Sequence, residues 1–496
     1  MKLEFHGREE RYAAEQSLLN LFPGELPVYA PIQPEDDTWA KVTCEEENDY
    51  LIVIADLSWH GQTGVYCYGA PLSGTEFERE RERRHAVICA LYLAYREMGG
   101  GPLPWGALTG VRPVKLPTRA ILAGATPKQA QRELEKEYFV SPERARLAVD
   151  CAQASVEAQK SLEEGQVSLY IGIPFCPTRC AYCSFVSADV GRTLKLVEPY
   201  VEGLLREVEE TGRALRELGL TVRTFYMGGG TPTTLSAEQM DRLLSRCEET
   251  LPLERCTEYT VEAGRPDTIT REKLEVLKAH RVGRISINPQ TLEPHVLEAI
   301  GRRHTPGEIG AAYELARAVG FACVNMDLIA GLPQDTFEGF HRSLEGVLDM
   351  GPENVTVHTL ALKKGSALME QEGALPSGDE VAKMLDFSRE RLTAQGYIPY
   401  YLYRQKYMSG SLENVGWARP GAENLYNIVM MEELHTVVSL GAGGVTKLIG
   451  GGKILRLTNP KFPQDYLSGL DRVLAQKAEI EAFFACRGGH CPPAGA

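Results

Sequence analysis

From residue 168 onward the chain repeats one pattern about six times: a short apolar run, a loop, then a stretch in which apolar residues recur at helical spacing. The runs are LYIGI (169–173), TFYM (224–227), YTVE (259–262), RISI (284–287), CVNMDLI (323–329) and NVTVHT (354–359). The stretches between them include LVEPYVEGLLREVEETGRALREL, SAEQMDRLLSRCEET, TREKLEVLKAH, EIGAAYELARAVG and TFEGFHRSLEGVLDM. Short strands that alternate with helices read as βαβ units around a parallel sheet. Their crossovers are right-handed, so successive units curve into a partial (β/α)6 barrel, with its chemistry at the C-terminal ends of the strands. The expected fold is therefore α/β: a partial barrel with an N-terminal α+β domain and a C-terminal extension.

The N-terminal domain reads differently. WAKVTCEE and YLIVIADL are strand-like and joined by a polar turn, whereas ERRHAVICALYLAYREM, TPKQAQRELEKEYF and SPERARLAVD are helical. Thr126–Pro127 and Ser141–Pro142 are N-cap and first-turn pairs. Two changes of composition give the expected boundaries: 1–165 as an accessory domain, 166–375 as the barrel and 376–496 as a region covering the substrate. At 496 residues the chain is long enough for two or three domains. A net charge of −14 argues against non-specific nucleic-acid binding, which needs basic surface. MKLEFHGREERY has no basic start followed by an apolar run, and no stretch is apolar over the length of a membrane span, so a cytoplasmic protein is expected.

Twelve cysteines are mostly scattered, and lone ones such as Cys323 read as small core residues. Three are not scattered. GIPFCPTRCAYCSF spaces Cys176, Cys180 and Cys183 as C-x3-C-x2-C on the loop after the first barrel strand. Three thiolates suit a soft metal. A structural zinc site would need a fourth protein ligand, usually from a second pair. A redox dithiol built on Cys180 and Cys183 would leave Cys176 idle. On a four-iron cluster, three ligands leave one iron open to a chelating substrate or cofactor. Cys486, His490 and Cys491 lie in the Gly/Pro-rich tail, RGGHCPPAGA, and read as a frayed end.

Other polar features follow strands in the same way. MGGGTPTTL places Gly228, Gly229, Gly230 and Thr231 after the second strand, where glycines let backbone N–H groups approach a ligand. Glu262 ends the third strand, Gln290 lies just past the fourth and Asp327 is on the fifth, with Arg302 and Arg303 further on. Carboxylates and amides at these places are suited to ribose hydroxyls and an amino group. GLPQDT, after Asp327, reads as a structural turn into the next helix.

Taken together, SLYIGIPFCPTRCAYCSF, YMGGGTPTTL, GRISINPQTL, VNMDLIAGLPQDT and VTVHTLALKKGS resemble the oxygen-independent coproporphyrinogen III oxidase group of radical S-adenosylmethionine (SAM) proteins. LTGVRPVKL and YYLYRQKYMSGSLENVGWARPG extend the resemblance over nearly the whole chain to the HemZ-type coproporphyrinogen dehydrogenases. The resemblance implies that Cys176, Cys180 and Cys183 ligate a [4Fe-4S] cluster. It implies that Tyr170 contacts SAM at the catalytic centre, that Tyr182 lies beside the adenine, and that Gly229, Gly230, Thr231, Glu262, Gln290, Arg302, Asp327 and Ala361 hold the rest of SAM. One electron into SAM would release methionine and a 5′-deoxyadenosyl radical. That radical would take a hydrogen from a propionate of the tetrapyrrole substrate, and loss of CO2 and an electron would leave a vinyl group. The implied electron donor is reduced flavodoxin or a ferredoxin-like protein.

The oxidases of this group carry a fourth cysteine two residues after the third; here Phe185 stands there, as it does in the haem-chaperone branch (HemW-type). Two functions therefore stand side by side, an anaerobic coproporphyrinogen dehydrogenase and a haem-binding chaperone, with another radical SAM reaction on a tetrapyrrole as a third. A substrate with four carboxylates calls for cations. Arg112, Lys363 with Lys364, and Arg404 with Lys406 are the candidates, arginine being best for bidentate pairing.

Overall fold

The computed structural model describes residues 1–183, 188–361, 368, 375–405 and 409–485. The chain forms two compact units, Met1–Asp150 with Gly410–Leu412, and Cys151–Ser409 with Glu413–Ala496. The division falls within the helix Pro142–Ser161.

In the first unit, β1 (Lys2–Gly7), β2 (Val28–Tyr29), β3 (Trp39–Glu47), β4 (Tyr50–Trp59) and β5 (Gln62–Pro71) form a sheet in the order β2-β1-β3-β4-β5. Alternation decides its buried face: Leu51, Val53, Ala55 and Leu57 of β4 are buried in one core with Val87, Cys89 and Leu91 of the helix Glu76–Glu97. That helix starts with a capping box, Thr75 with Glu78. The strands β3 and β4 are the two runs legible in the sequence. The run β5, QTGVYCYGAP, is broken by glycines, and β1 is short and charged, so neither carries a strong strand pattern.

The second unit holds the barrel. Its strands are β6 (Gln166–Ile173), the short pair β7 (Phe175–Cys176) and β8 (Ala188–Asp189), then β9 (Thr221–Gly229), β10 (Glu258–Gly264), β11 (Arg284–Ile287), β12 (Cys323–Ala330) and β13 (Asn354–Thr359). The six expected strands are all present, as β6 and β9–β13, parallel and side by side in chain order. Helices separate them, including Val190–Glu217, Ala237–Thr250, Arg271–Ala279, Pro306–Val319 and Phe337–Met350. Most open on Ser or Thr caps, at Ser236, Thr270, Thr305 and Thr336. Thr336 belongs to GLPQDT, which turns the chain into its helix as expected.

The C-terminal region extends this sheet at both ends. β14 (Ile398–Tyr403) and β15 (Asn414–Ala418) add antiparallel strands beside β13. β16 (Val437–Leu440) pairs parallel with β6 and leads into β17 (Val445–Gly450) and β18 (Lys453–Thr458). The sheet has eleven strands, in the order β14-β15-β13-β12-β11-β10-β9-β6-β16-β17-β18. No helix among the described residues is long and apolar enough to cross a membrane.

Candidate active site

Parallel register places like positions of neighbouring strands on one face. Tyr170 of β6 pairs with Tyr226 of β9, and Glu262 of β10 with Ser286 of β11; Asp327 of β12 pairs with Thr356 of β13. Of these, Tyr170, Tyr226, Glu262, Asp327 and Thr356 line a cavity of about 590 Å3. Every residue expected to hold the cluster or SAM lines it: Cys176, Cys180, Cys183, Tyr170, Tyr182, Gly229, Gly230, Thr231, Glu262, Gln290, Arg302, Asp327 and Ala361.

The cysteines occupy one end. Cys176 ends the short β7, with its Sγ 3.5 Å from Thr231 Oγ1. Cys180 is buried, and the Cys183 N–H donates to its carbonyl at 3.1 Å. Thr178, between the first two cysteines, accepts from Arg265 Nη1 at 2.7 Å, which ties the loop to the end of β10. The glycine loop presses against the same segment. Gly230 N–H donates to Ile173 O at 2.8 Å and Thr231 N–H to Phe175 O at 2.7 Å. A Cβ on Gly230 would come within 2.5 Å of Phe175 O, so no larger residue fits there. Gly229 takes φ of +107°, in the region that favours glycine.

Arg302 is buried and donates to Asn288 O and, at 3.2 Å, to the Tyr182 hydroxyl. Gln290 has φ of +68° and bridges strands as a backbone element: its N–H donates to Asp327 O at 2.8 Å, and its carbonyl accepts from Ile329 N–H at 2.9 Å. The two carboxylates differ in charge state. Burial, with Asp327 nearby, pushes Glu262 up to about 7, despite hydrogen bonds from the Tyr226 hydroxyl, at 2.5 Å, and the Gly229 N–H. Burial also pushes Asp327 up, but His358, Asn325 and Thr356 more than offset it and hold the carboxylate below its usual range.

Other lining residues carry no motif. Tyr226 and Tyr426 stack at 4.5 Å between ring centres, each 6.3 Å from Tyr170. Beyond them lie Tyr401, Tyr403, Met430, Met431 and Lys447. Nothing local to the sequence shows that YYLYRQKY supplies β14, at one end of the barrel's sheet. Lys447 Nζ donates to Met430 O at 3.2 Å, with Glu433 at 3.9 Å. Of the expected substrate cations, Arg404 is buried with its charge facing Glu413 and is not a lining residue; burial lowers its pKa to about 10. Arg112 belongs to the first unit. Lys363, Lys364, Lys406 and Phe185 lie outside the described residues, as do Cys486, His490 and Cys491.

Residues 170–345 match the family model described as the radical SAM superfamily. A Bacillus subtilis protein named oxygen-independent coproporphyrinogen-III oxidase-like protein HemZ is 42% identical over 478 residues, 95% of either chain. The chain belongs to the radical SAM superfamily, in its oxygen-independent coproporphyrinogen III oxidase-like group. The Escherichia coli haem chaperone HemW is 30% identical over 64% of this chain and 79% of its own. A solved structure, the radical SAM enzyme coproporphyrinogen III oxidase (HemN) from E. coli, superposes with a TM-score of 0.52 at 26% identity, covering 64% of this chain and 72% of that one.

The radical SAM superfamily uses a [4Fe-4S] cluster and SAM, and the residues here fit both. Three thiols share one cavity end. Among the described residues no three His, Cys, Asp or Glu side chains are arranged to hold a single metal ion; thiols that hold different irons of one cluster need not meet at a point. Asn288 Oδ1, Arg302 Nε and the Tyr426 hydroxyl are buried without a hydrogen-bond partner, and all three residues line the cavity. Unsatisfied buried groups of this kind are rare unless a ligand completes them.

Proposed function

We propose that this chain carries out the radical SAM oxidative decarboxylation of coproporphyrinogen III to protoporphyrinogen IX in oxygen-independent haem biosynthesis. The observation that carries the reading is similarity along the full length, 95% of both chains, to a relative named as coproporphyrinogen-III oxidase-like. The HemW relative matches over 64% of this chain.

Cys176, Cys180 and Cys183 would hold the cluster and leave one iron to SAM. With both bound, they supply one-electron cleavage of a carbon–sulfur bond and, through it, removal of a hydrogen atom from the substrate. Gly229, Gly230 and Thr231 would receive the methionine part and Tyr182 the adenine. Tyr170, Glu262, Gln290, Arg302, Asp327 and Ala361 would complete the SAM contacts. Tyr401 and Tyr403 would face the tetrapyrrole and exclude water, and Lys447 would meet a carboxylate. Residues 376–496 would cover the substrate, 166–375 form the catalytic barrel, and 1–165 serve as an accessory domain in a cytoplasmic protein. Reduced flavodoxin or a ferredoxin-like protein would supply the electron.

The second reading, a haem chaperone without oxidase activity, is favoured by Phe185 standing where the oxidases carry a cysteine. Product analysis separates the two. Anaerobic protein with a reconstituted cluster, given coproporphyrinogen III, SAM and reductant, is expected to give vinyl products together with 5′-deoxyadenosine. Stable haem binding with no vinyl product overturns the enzyme reading.

A further inference from the structure

The turn after β10 fixes an arginine against the cysteine loop. GRPDT leaves the strand at Gly264, which takes φ of +65°. Arg265 N–H donates to Ala263 O at 2.8 Å, and its carbonyl accepts from Thr268 N–H at 3.1 Å and from Thr268 Oγ1 at 2.8 Å. The side chain is as constrained as the backbone. Nε donates to Asp267 Oδ1 at 3.0 Å and Nη2 to Asp267 Oδ2 at 2.9 Å, a bidentate pair that sets the plane of the guanidinium. The other arm, Nη1, donates to the Thr178 carbonyl at 3.2 Å and to Thr178 Oγ1 at 2.7 Å. Thr178 lies midway between Cys176 and Cys180, and Arg265 lines the cavity with all three cysteines.

The two charges of this pair sit in different surroundings. Arg265 is 3% exposed and lines the cavity; Asp267 is exposed and is not among the described lining residues. Water screens a surface carboxylate far more than the interior screens a buried guanidinium. Toward the cysteines the pair therefore acts as a dipole with its positive end inward. Arginine keeps its charge at any ordinary pH. His304, near both partners, adds no charge at neutral pH, because burial, with Arg302 and Arg265, lowers its pKa to about 4. Burying a guanidinium costs desolvation, and a neutral donor would hold Thr178 as well, so the charge itself calls for a partner. Three thiolates on a cluster supply one.

We propose that Arg265 is a positioning residue for the cluster, bracing the loop between Cys176 and Cys180 and favouring the cluster's reduced state with its buried charge. This rests on the reading that the three cysteines hold a cluster. Reduction adds one electron and no proton to a centre that its thiolates already make negative. A fixed cation beside the loop lowers the cost of that added charge, since net charge and hydrogen bonding around the sulfurs tune the potential of such centres. Asp267 works against it, weakly because it is exposed, while holding the fork in place.

The test is a potentiometric titration of the cluster-loaded protein without SAM, followed by the electron paramagnetic resonance signal of the reduced cluster, with a europium(II) chelate as the reductant. In Arg265→Gln, which keeps an amide donor but no charge, the equilibrium constant for reduction is expected to fall tenfold, a midpoint 59 mV more negative. Asp267→Asn removes the opposing charge and is expected to move the midpoint the other way. Arg265→Lys keeps the charge, loses the fork and is expected to stay within threefold of wild type. Opposite shifts from the two halves of one hydrogen-bonded pair follow from charge. A purely structural brace moves both the same way or neither, and either result overturns the proposal. If Arg265→Gln takes up no cluster, Asp267→Asn decides alone, and a midpoint at or below that of wild type overturns it. Hydrogen exchange of the iron-free protein reads the bracing separately. Residues 176–181 are expected to exchange at least threefold faster in Arg265→Gln and Arg265→Lys, and unchanged exchange in both overturns the brace. Wild-type protein with no four-iron spectrum after anaerobic reconstitution sinks the cluster reading, whereas a normal spectrum with unshifted midpoints sinks this proposal alone.

Discussion

Glu262 shows how one side chain can carry both stability and binding. Its pKa is about 7 in the fold against an ordinary value of 4.5, raised chiefly by burial. Between those values the folded chain keeps a proton that the unfolded chain has released. Stability without ligand therefore falls as pH rises through that window, by on the order of 3 kcal/mol. Glu262→Gln, which still accepts from the Tyr226 hydroxyl, is expected to lose that part of the slope and to unfold at a higher temperature than wild type at pH 8, with little difference near pH 4. Thermal unfolding at several pH values checks this; parallel curves for the two proteins would refute it. If the carboxylate pairs with a cationic part of SAM, affinity in calorimetry rises as pH passes 7, the opposite sign to the stability trend. Glu262 was legible as a polar strand end. Its elevated pKa was not, because that depends chiefly on burial, which exists only in the folded chain, and then on Asp327, two strands along the sheet.

At the scale of elements, the glycine loop is held by backbone, not by side chains. Gly230 lies against the carbonyls of Ile173 and Phe175, which an added Cβ would meet at 2.9 and 2.5 Å. Carbonyls cannot rotate away as a side-chain tip can, so Gly230→Ala must push the end of β9 off β6. The expected cost is about 1–3 kcal/mol in denaturant unfolding, as for overpacking, with SAM affinity at least tenfold weaker. A variant that binds SAM as tightly as wild type would show that the loop does not receive it. The sequence showed that a loop follows a strand here, and three glycines marked it. What it could not show is which backbone the glycines approach, since that contact joins β6 to β9 across the whole helix Val190–Glu217. The same limit hid β14, whose place beside β15 is set by long-range pairing.

For the whole molecule, the C-terminal segment is tied to the barrel through one buried carboxylate. Glu207, on the helix Val190–Glu217, is fully buried and accepts from Lys477 Nζ at 2.7 Å, the Tyr466 hydroxyl at 2.6 Å, Asn459 Nδ2 at 2.9 Å and Gly441 N–H at 2.8 Å. Glu207→Ala would leave a buried lysine unpaired and is expected to cost about 3–5 kcal/mol. Hydrogen exchange should rise most over 463–485, and uniform loosening would count against this tether. No pattern in the sequence pointed to Glu207, which reads as one of many acids on an amphipathic helix. The sequence alone determined the parallel strands, the helices between and those residues of the cavity wall that lie in its motifs, because strand and helix periodicity and loop glycines are local properties of the chain. Tertiary structure decided what joins them: the antiparallel strands at both sheet ends, the tyrosines facing the cavity and the burial of Arg404. Each of these depends on contacts between residues far apart in the chain, and the desolvation that sets their chemistry exists only once those segments have packed together.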